Sequence, residues 1–363
     1  MNRGILGDDF FKVGWPLALY GAGRAAAECL DYLESLSLSN RVEFLVDNDP
    51  NRWGSSVKGR PVGPPELLGP KQAVVICAPS YVGEIYQSLN AAGHSMKTFV
   101  YDPTIRAFAD IPRRLSEPGR PPETEADLPH LRELYQDDQT TGDLLAAAVF
   151  IRCHPGAAIQ PYNNFMEFSR RCITAEDYWL DPGLDSGDQV FTLLDVGAYR
   201  GESFVGLISR YGDRLKKIYA FEPDPVNFSH LRASLKNRPW KDRVDCRCLA
   251  AGDRKEILSF KSDGCGSRLS SEGDGRTEVR RLDDLDLEIE GQLLIKMDVE
   301  GAELSALRGA AGLIEKYGPQ LAVCLYHRYG DLGEIPACLK SLNPAYRCLI
   351  RGGLHAVCQA RLS

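Results

Sequence analysis

The sequence predicts an α/β chain made of two Rossmann-like folds in series, a smaller one first and a larger sheet at the C-terminal end. Three observations carry that expectation. A buried strand, a glycine turn and an amphipathic helix follow one another twice, near Gly21–Gly23 and near Gly197–Gly201. Each helix leads to a strand that closes on an acid, Asp47 and Glu222, where a carboxylate can accept both hydroxyls of a ribose. The last strands read as an antiparallel hairpin, residues 346–351 and 355–360 about Gly352-Gly353.

Length and composition admit ordinary cores. Of 363 residues, 44% are hydrophobic and 26% charged, the balance of globular domains. With 43 basic and 50 acidic residues the net charge is -7, and no dense basic run offers a nucleic-acid surface. No apolar run reaches the ~18 residues of a membrane span. The opening MNRGILGDDFFKVGW lacks the basic-then-apolar order of a signal peptide. The 11 cysteines are scattered without a CxxC pair, which suits reduced, buried thiols and a cytoplasmic chain.

Residues 1–110 are expected to form the first domain. Strand 15–20 runs into Gly21-Ala-Gly23-Arg-Ala-Ala26, a GxGxxA turn that opens a helix carrying Ala27, Leu30 and Leu33. Strands follow at 42–46, 73–77 and 98–101, with helix 82–92 between the last two. The turn serves either a nucleotide or nucleotide-sugar pocket, or only chain reversal and helix packing. In outline the domain resembles the sugar-nucleotide-binding modules at the front of some bacterial modifying enzymes. Residues 111–187 form a linker and helical connector. Prolines at 112, 118, 121, 122 and 129 mark a partly extended surface stretch. Helical patterns follow at Leu144, Leu145, Ala148 and Val149, then at Phe165, Phe168 and Cys172, before a turn-rich run after Tyr178-Trp179. The connector is either a packing collar or a lid over a pocket.

Residues 188–363 carry the chemistry. Gly197 and Gly201 let the backbone pass close to a ligand, and the helix after them presents free N–H groups. Strand 218–221 ends at Glu222, and Asp224 with Pro225 suits the start of a helix striped by Phe228, Leu231 and Leu235. A third strand through Val244, Cys246 and Cys248 leads to Ala250 and Ala251, then an extra hairpin strand at 256–260 and a loop at 262–275. Strand 292–297 ends in KMDVEGAE, which puts Asp298 and Glu300 at the carboxyl edge where open α/β sheets bind ligands. Asp298 reads as functional, and Glu303 as a complement to the next helix dipole. Strand 321–326 brings His327 to the same edge, as a general base or a structural histidine. A parallel sheet finished by an antiparallel hairpin is the habit of S-adenosylmethionine (SAM)-dependent methyltransferases rather than of dehydrogenases.

Five blocks in order, DVGAYRGES from Asp195, AFEPDP from Ala220, LDDL from Leu282, KMDVEGAE from Lys296 and LYHR from Leu325, resemble the FkbM family of methyltransferases. The similarity covers about residues 175–363. It implies the seven-stranded methyltransferase fold, SAM as methyl donor, and O-methylation of a hydroxyl on a sugar, glycan or natural product. The common glycine motif is GxGxG; GAYRG has Tyr199 at its middle glycine. Carried over by residue, the resemblance implies that Gly197, Ala198, Gly201 and Ser203 border the donor's approach. Asp195 would orient its amino group, Glu222 hold its ribose, Ala250 or Ala251 lie near its adenine, and Asp298 flank it.

An alkyl hydroxyl needs a proton acceptor as it attacks, and His327 or Asp298 is expected to serve. A second version places a divalent metal on Asp298 and Glu300, although the sequence shows no complete ligand set and none is assigned. Two rivals stand beside the enzyme: a non-catalytic nucleotide-binding protein, and an NAD-linked or nucleotide-sugar enzyme centred on Gly21 and Asp47. The second rival needs a proton relay such as Tyr-x-x-x-Lys, absent from the first 110 residues.

Overall fold

A computed structural model describes residues 14–94, 98–153, 158–163, 165–166, 188–261, 268–269, 275–351 and 356–362. The chain divides into two compact units, Met1–Asp110 with Val149–Thr174, and Ile111–Ala148 with Ala175–Ser363.

In the first unit, β1 (Leu17–Tyr20), β2 (Val42–Val46), β3 (Ser56–Val57), β4 (Arg60–Gly63), β5 (Ala73–Ile76), β6 (Thr98–Tyr101) and β7 (Ile159–Pro161) form one sheet. Its order is β3-β4-β2-β1-β5-β6-β7. The five inner strands pair in parallel, and β3 and β7 join the edges antiparallel. β1 and β5 are buried at every position, as strands covered on both faces must be, and so read as unbroken apolar runs. Helices α1 (Arg24–Ser35) and α2 (Val82–Ala91) follow β1 and β5.

Helices α3 (Pro103–Leu115), α4 (Leu128–Glu133) and α5 (Gln139–Cys153) follow among the described residues. Residues 111–115 are thus helical rather than extended. Pro112 sits inside α3 and removes one ladder donor, but the amide of Ser116 still reaches the Pro112 carbonyl at 2.9 Å and keeps the last turn closed. The patterns at Phe168 and Cys172, the stretch around Tyr178-Trp179, most of the loop at 262–275 and the Gly352-Gly353 turn lie outside the described residues.

The second unit holds two sheets. Its main strands are β8 (Phe191–Val196), β9 (Leu215–Phe221), β10 (Val244–Arg247), β15 (Gln292–Met297), β16 (Gln320–Cys324), β17 (Tyr346–Arg351) and β18 (Val357–Leu362). Between them β11 (Ala250–Ala251), β12 (Glu256–Lys261), β13 (Arg268–Leu269) and β14 (Gly275–Arg280) make a smaller sheet. The main order is β10-β9-β8-β15-β16-β18-β17, parallel except for β18, which runs antiparallel to both neighbours. The chain builds outward from β8 through β9 and β10, then returns to its other side with β15. That reversal makes the carboxyl ends of β8 and β15 the topological switch point, the place where open α/β sheets bind ligands.

Five helices accompany this sheet: α6 (Glu202–Tyr211), α7 (Pro225–Leu235), α8 (Glu303–Gly309), α9 (Ala311–Tyr317) and α10 (Asp331–Leu342). Phe204, Leu207, Ile208 and Tyr211 of α6 enter one core with Phe191, Leu193, Ile218 and Leu231. Gly206 lies on the exposed face of α6, and a Cβ added there meets nothing within 4 Å. Gly206→Ala is therefore expected to stabilise the unit by about 0.5–1 kcal/mol, read as a higher urea midpoint at unchanged slope.

Candidate active site

The corner after β8 is tied to the end of β9. The amides of Gly197 and Ala198 both donate to the Phe221 carbonyl, at 3.0 and 2.9 Å. Gly197 has φ +81, and a Cβ on it would lie 1.8 Å from the Asp298 carbonyl oxygen. The first turn after β15 thus passes against the corner at a distance only glycine permits. Gly201, at φ +89, starts α6 in the left-handed region, where a Cβ would strike the Phe204 ring. Tyr199, in place of the usual middle glycine, also takes a left-handed φ of +50.

That strained residue points its amide at Glu222. The Glu222 carboxylate accepts from Tyr199 N at 2.7 Å and from Asp224 N at 3.0 Å. Asp224 in turn caps α7 by accepting from Val226 N and Asn227 N, with Pro225 in the first turn. Glu222 is 4% exposed. Burial outweighs its donors and lifts its carboxyl to about 7.

Asp195 stands one strand away and is wholly buried. Its register partner on β15 is Lys296, whose ammonium lies 3.1 Å from Asp195 Oδ1 and donates to the Gly197 carbonyl at 2.6 Å. Burial disfavours the Lys296 charge, but Asp195 and Asp298 outweigh it and raise its pKa. Ser203 Oγ donates to Asp195 Oδ2. Asp195, Ser203 and Lys296 therefore brace the corner from beneath, and Asp195 presents no surface of its own. Ala250 and Ala251 are buried in β11, paired with β14, and Ala198 is buried at the corner.

The second cluster lies past β15 and β16. His327 is 1% exposed, and its Nδ1 lies 2.7 Å from Glu303 Oε1. Its Nε2 faces Asp298 Oδ1 at 3.5 Å and Glu300 Oε2 at 3.7 Å. Tyr326 donates its hydroxyl to Asp298 at 3.0 Å. Burial opposes the imidazolium, but Glu303 above all, then Asp298 and Glu300, push His327 up to about 10. Burial also opposes the Asp298 charge, yet Lys296, His327 and Tyr326 hold its carboxyl below the ordinary range. Glu303 accepts from Val299 N and Gly301 N as well. It closes the turn that begins α8 and fixes the imidazole, a second role that helix-dipole reasoning did not supply.

The Ile111–Ala148 segment is bonded to the loop after His327. Tyr329 N donates to Ser116 Oγ at 2.6 Å, Gly330 N to Glu123 at 2.8 Å, and Arg328 to Glu117 at 2.9 Å. Tyr135 donates its hydroxyl to the Leu332 carbonyl.

The first unit has its own opening, a cavity of about 640 Å³ against Gly21, Ala22, Asp47 and Arg52. Asp47 does not stand free there. Its Oδ2 accepts from Ala22 N at 2.7 Å and its Oδ1 from Asp49 N at 2.9 Å, so it holds the glycine turn in shape. Among the described residues, no helix is long and apolar enough to cross a membrane.

Comparison with known proteins agrees with the second unit's geometry. Residues 195–343 match the family model for the methyltransferase FkbM domain. The whole chain is similar in fold to the methyltransferase FkbM of Methylobacillus flagellatus KT. The TM-score is 0.67 at 19% identity, over 99% of this chain and 95% of that one. Looser overlaps join it to a SAM-dependent methyltransferase from Aquifex aeolicus (TM-score 0.30, 13% identity, 54% of this chain and 97% of that one). Another is with an SAH-bound methyltransferase from Podospora anserina (TM-score 0.29, 12% identity, 72% and 96%); neither bears on function. No curated protein matches the chain in sequence. Residues 195–343, which begin at the glycine corner, thus match the methyltransferase FkbM domain, and the whole chain is similar in fold to one solved methyltransferase FkbM.

Proposed function

We propose that the second unit binds SAM between Gly197 and Glu222 and methylates a hydroxyl oxygen of a sugar, glycan or other small natural product. Glu222 carries this reading. It is a carboxylate at the end of the strand beside the glycine corner, gripped by Tyr199 N and Asp224 N. Backbone donors occupy part of its accepting capacity, and the remaining lone pairs suit a vicinal diol. Gly197 and Gly201 make the corner possible by admitting the Asp298 carbonyl and the Phe204 ring, and the backbone turn they form is what the donor's tail would follow.

Bound there, SAM supplies a methyl on a sulfonium sulfur; the new C–O bond forms as the C–S bond breaks and its electron pair leaves with sulfur. Alignment of the two partners supplies on the order of 7–11 kcal/mol in favourable cases. The braced pair Asp195 and Lys296 keeps the corner from shifting under load. Asp298, ionised and 25% exposed, is the group suited to accept the hydroxyl proton. His327, already an imidazolium at neutral pH among three carboxylates, is suited to hold Asp298 and Glu300 in place rather than to take a proton.

Asp298→Asn should lower kcat by about 10²–10⁴ while the calorimetric affinity for SAM stays within about threefold. Equal loss of both would assign Asp298 to donor binding and remove it as the proton acceptor.

A further inference from the structure

We infer that Asp298, Glu300 and His327 form a site for one divalent first-row cation of the Mn²⁺ or Zn²⁺ kind. Two acids near a surface are ordinary, and by themselves they say little. The histidine is what sets this group apart. It is almost wholly buried, and its Nε2 has no hydrogen-bond partner. A buried polar atom left in that state costs free energy unless something else meets it. Nε2 is aimed between Asp298 Oδ1 at 3.5 Å and Glu300 Oε2 at 3.7 Å. One donor atom from each of the three residues lies within 4.8 Å of the others. Ligand atoms about 2.1 Å from a shared metal sit roughly 3.4 Å apart at the tetrahedral angle. The cluster needs only a small contraction to reach that spacing.

The surrounding residues are arranged as a metal site's outer shell is. Glu303 holds Nδ1 at 2.7 Å, which fixes the ring with Nε2 turned toward the two carboxylates, and a metal bound there would take the place of the Nε2 proton. Glu303 is in turn fixed by the amides of Val299 and Gly301. Tyr326 anchors Asp298 from the side. One imidazole and two carboxylates favour a first-row ion over the harder Mg²⁺ or Ca²⁺. They also leave coordination positions open for an oxygen ligand. A hydroxyl bound there loses its proton more readily, and Asp298, a weak base, no longer has to extract it unaided. As a means of activating the acceptor, the site rests on the methyl-transfer reading above; as a place for a cation, it rests on the geometry alone.

The test uses the full chain, freed of metal by chelation and titrated with Mn²⁺ alone by electron paramagnetic resonance and with Zn²⁺ alone by calorimetry. One equivalent should bind per chain. Glu300→Gln and His327→Gln, each checked for an intact fold by circular dichroism and melting, should weaken binding at least tenfold. SAM is titrated separately, and its affinity should be unchanged in Glu300→Gln. Absence of a saturable site in the wild type would overturn the inference. So would equal stoichiometry and affinity in both variants. Failure to bind SAM beside intact Mn²⁺ binding would remove the donor reading and leave the cation site standing.

Discussion

Glu222→Gln is expected to weaken SAM binding about 30- to 100-fold, measured by calorimetry at pH 8. A hydrogen bond to a charged acceptor contributes roughly 1.5–3 kcal/mol, and glutamine cannot replace both carboxylate oxygens. Its amide nitrogen would face either Tyr199 N or Asp224 N, two donors that now share one carboxylate, so one of them would lose its acceptor. The wild type should also show the charge directly. With the Glu222 carboxyl lifted to about 7 by burial, the ionised form needed by a ribose diol is scarce at pH 6 and dominant at pH 8. SAM affinity should therefore rise about tenfold across that interval, and the rise should vanish in the variant. Folding responds with the opposite sign. A raised carboxyl pKa favours the native state most below about 4.5, and that contribution is lost as pH climbs through about 7. The same buried charge that serves the ligand thus burdens the free protein. An unchanged SAM affinity in Glu222→Gln would remove the ribose role.

Gly197→Ala should destabilise the second unit by about 4 kcal/mol or more, a large share of what holds a domain folded. Two effects add. The residue sits at φ +81, which a side chain rarely adopts, and the new Cβ would overlap the Asp298 carbonyl at 1.8 Å. Backbone cannot swing away as a flexible side chain can, and both chains at this point are pinned. Gly197 N is held by Phe221 O, Gly197 O by Lys296, and Asp298 N by Val196 O. Gly206→Ala, nine positions on and in open space, is the matched control with the opposite sign. Urea titrations of the two variants should move in opposite directions, and a Gly197→Ala protein within 1 kcal/mol of the wild type would show that the corner yields.

Much of this fold was legible because its signals are local. Unbroken apolar runs marked β1 and β5, a mostly apolar run through Asp195 marked β8, glycine turns marked the crossovers, and Asp224-Pro225 marked the start of α7. The carboxyl edge followed from topology, so Glu222, Asp298 and His327 could be named as candidates from strand ends alone. What stayed hidden depends on contacts between distant segments. β7 is three residues long and exists through its pairing with β6, too short for any period to show. Asp47 stands at the ribose-binding place in sequence, and its bonds to the amides of Ala22 and Asp49 could not be read from that position. Nothing local in the strand names a partner for Lys296, and only the register sets it against Asp195. Tyr326 and His327 are neighbours that strict strand alternation would send to opposite faces. β16 ends at Cys324, alternation ends with it, and both side chains reach Asp298. Glu303 carried a sufficient local explanation at its helix start, which concealed its bond to an imidazole 24 residues later.

The central claim is that the carboxyl edge of the second unit's main sheet cradles the methyl donor. A crystal structure of the full chain with S-adenosylhomocysteine tests it most directly. Both ribose hydroxyls should lie within hydrogen-bonding distance of the Glu222 carboxylate, with the amino-acid tail along the backbone from Gly197 to Gly201. The product bound elsewhere, or Glu222 turned from it while side chains fill the corner, would contradict the account.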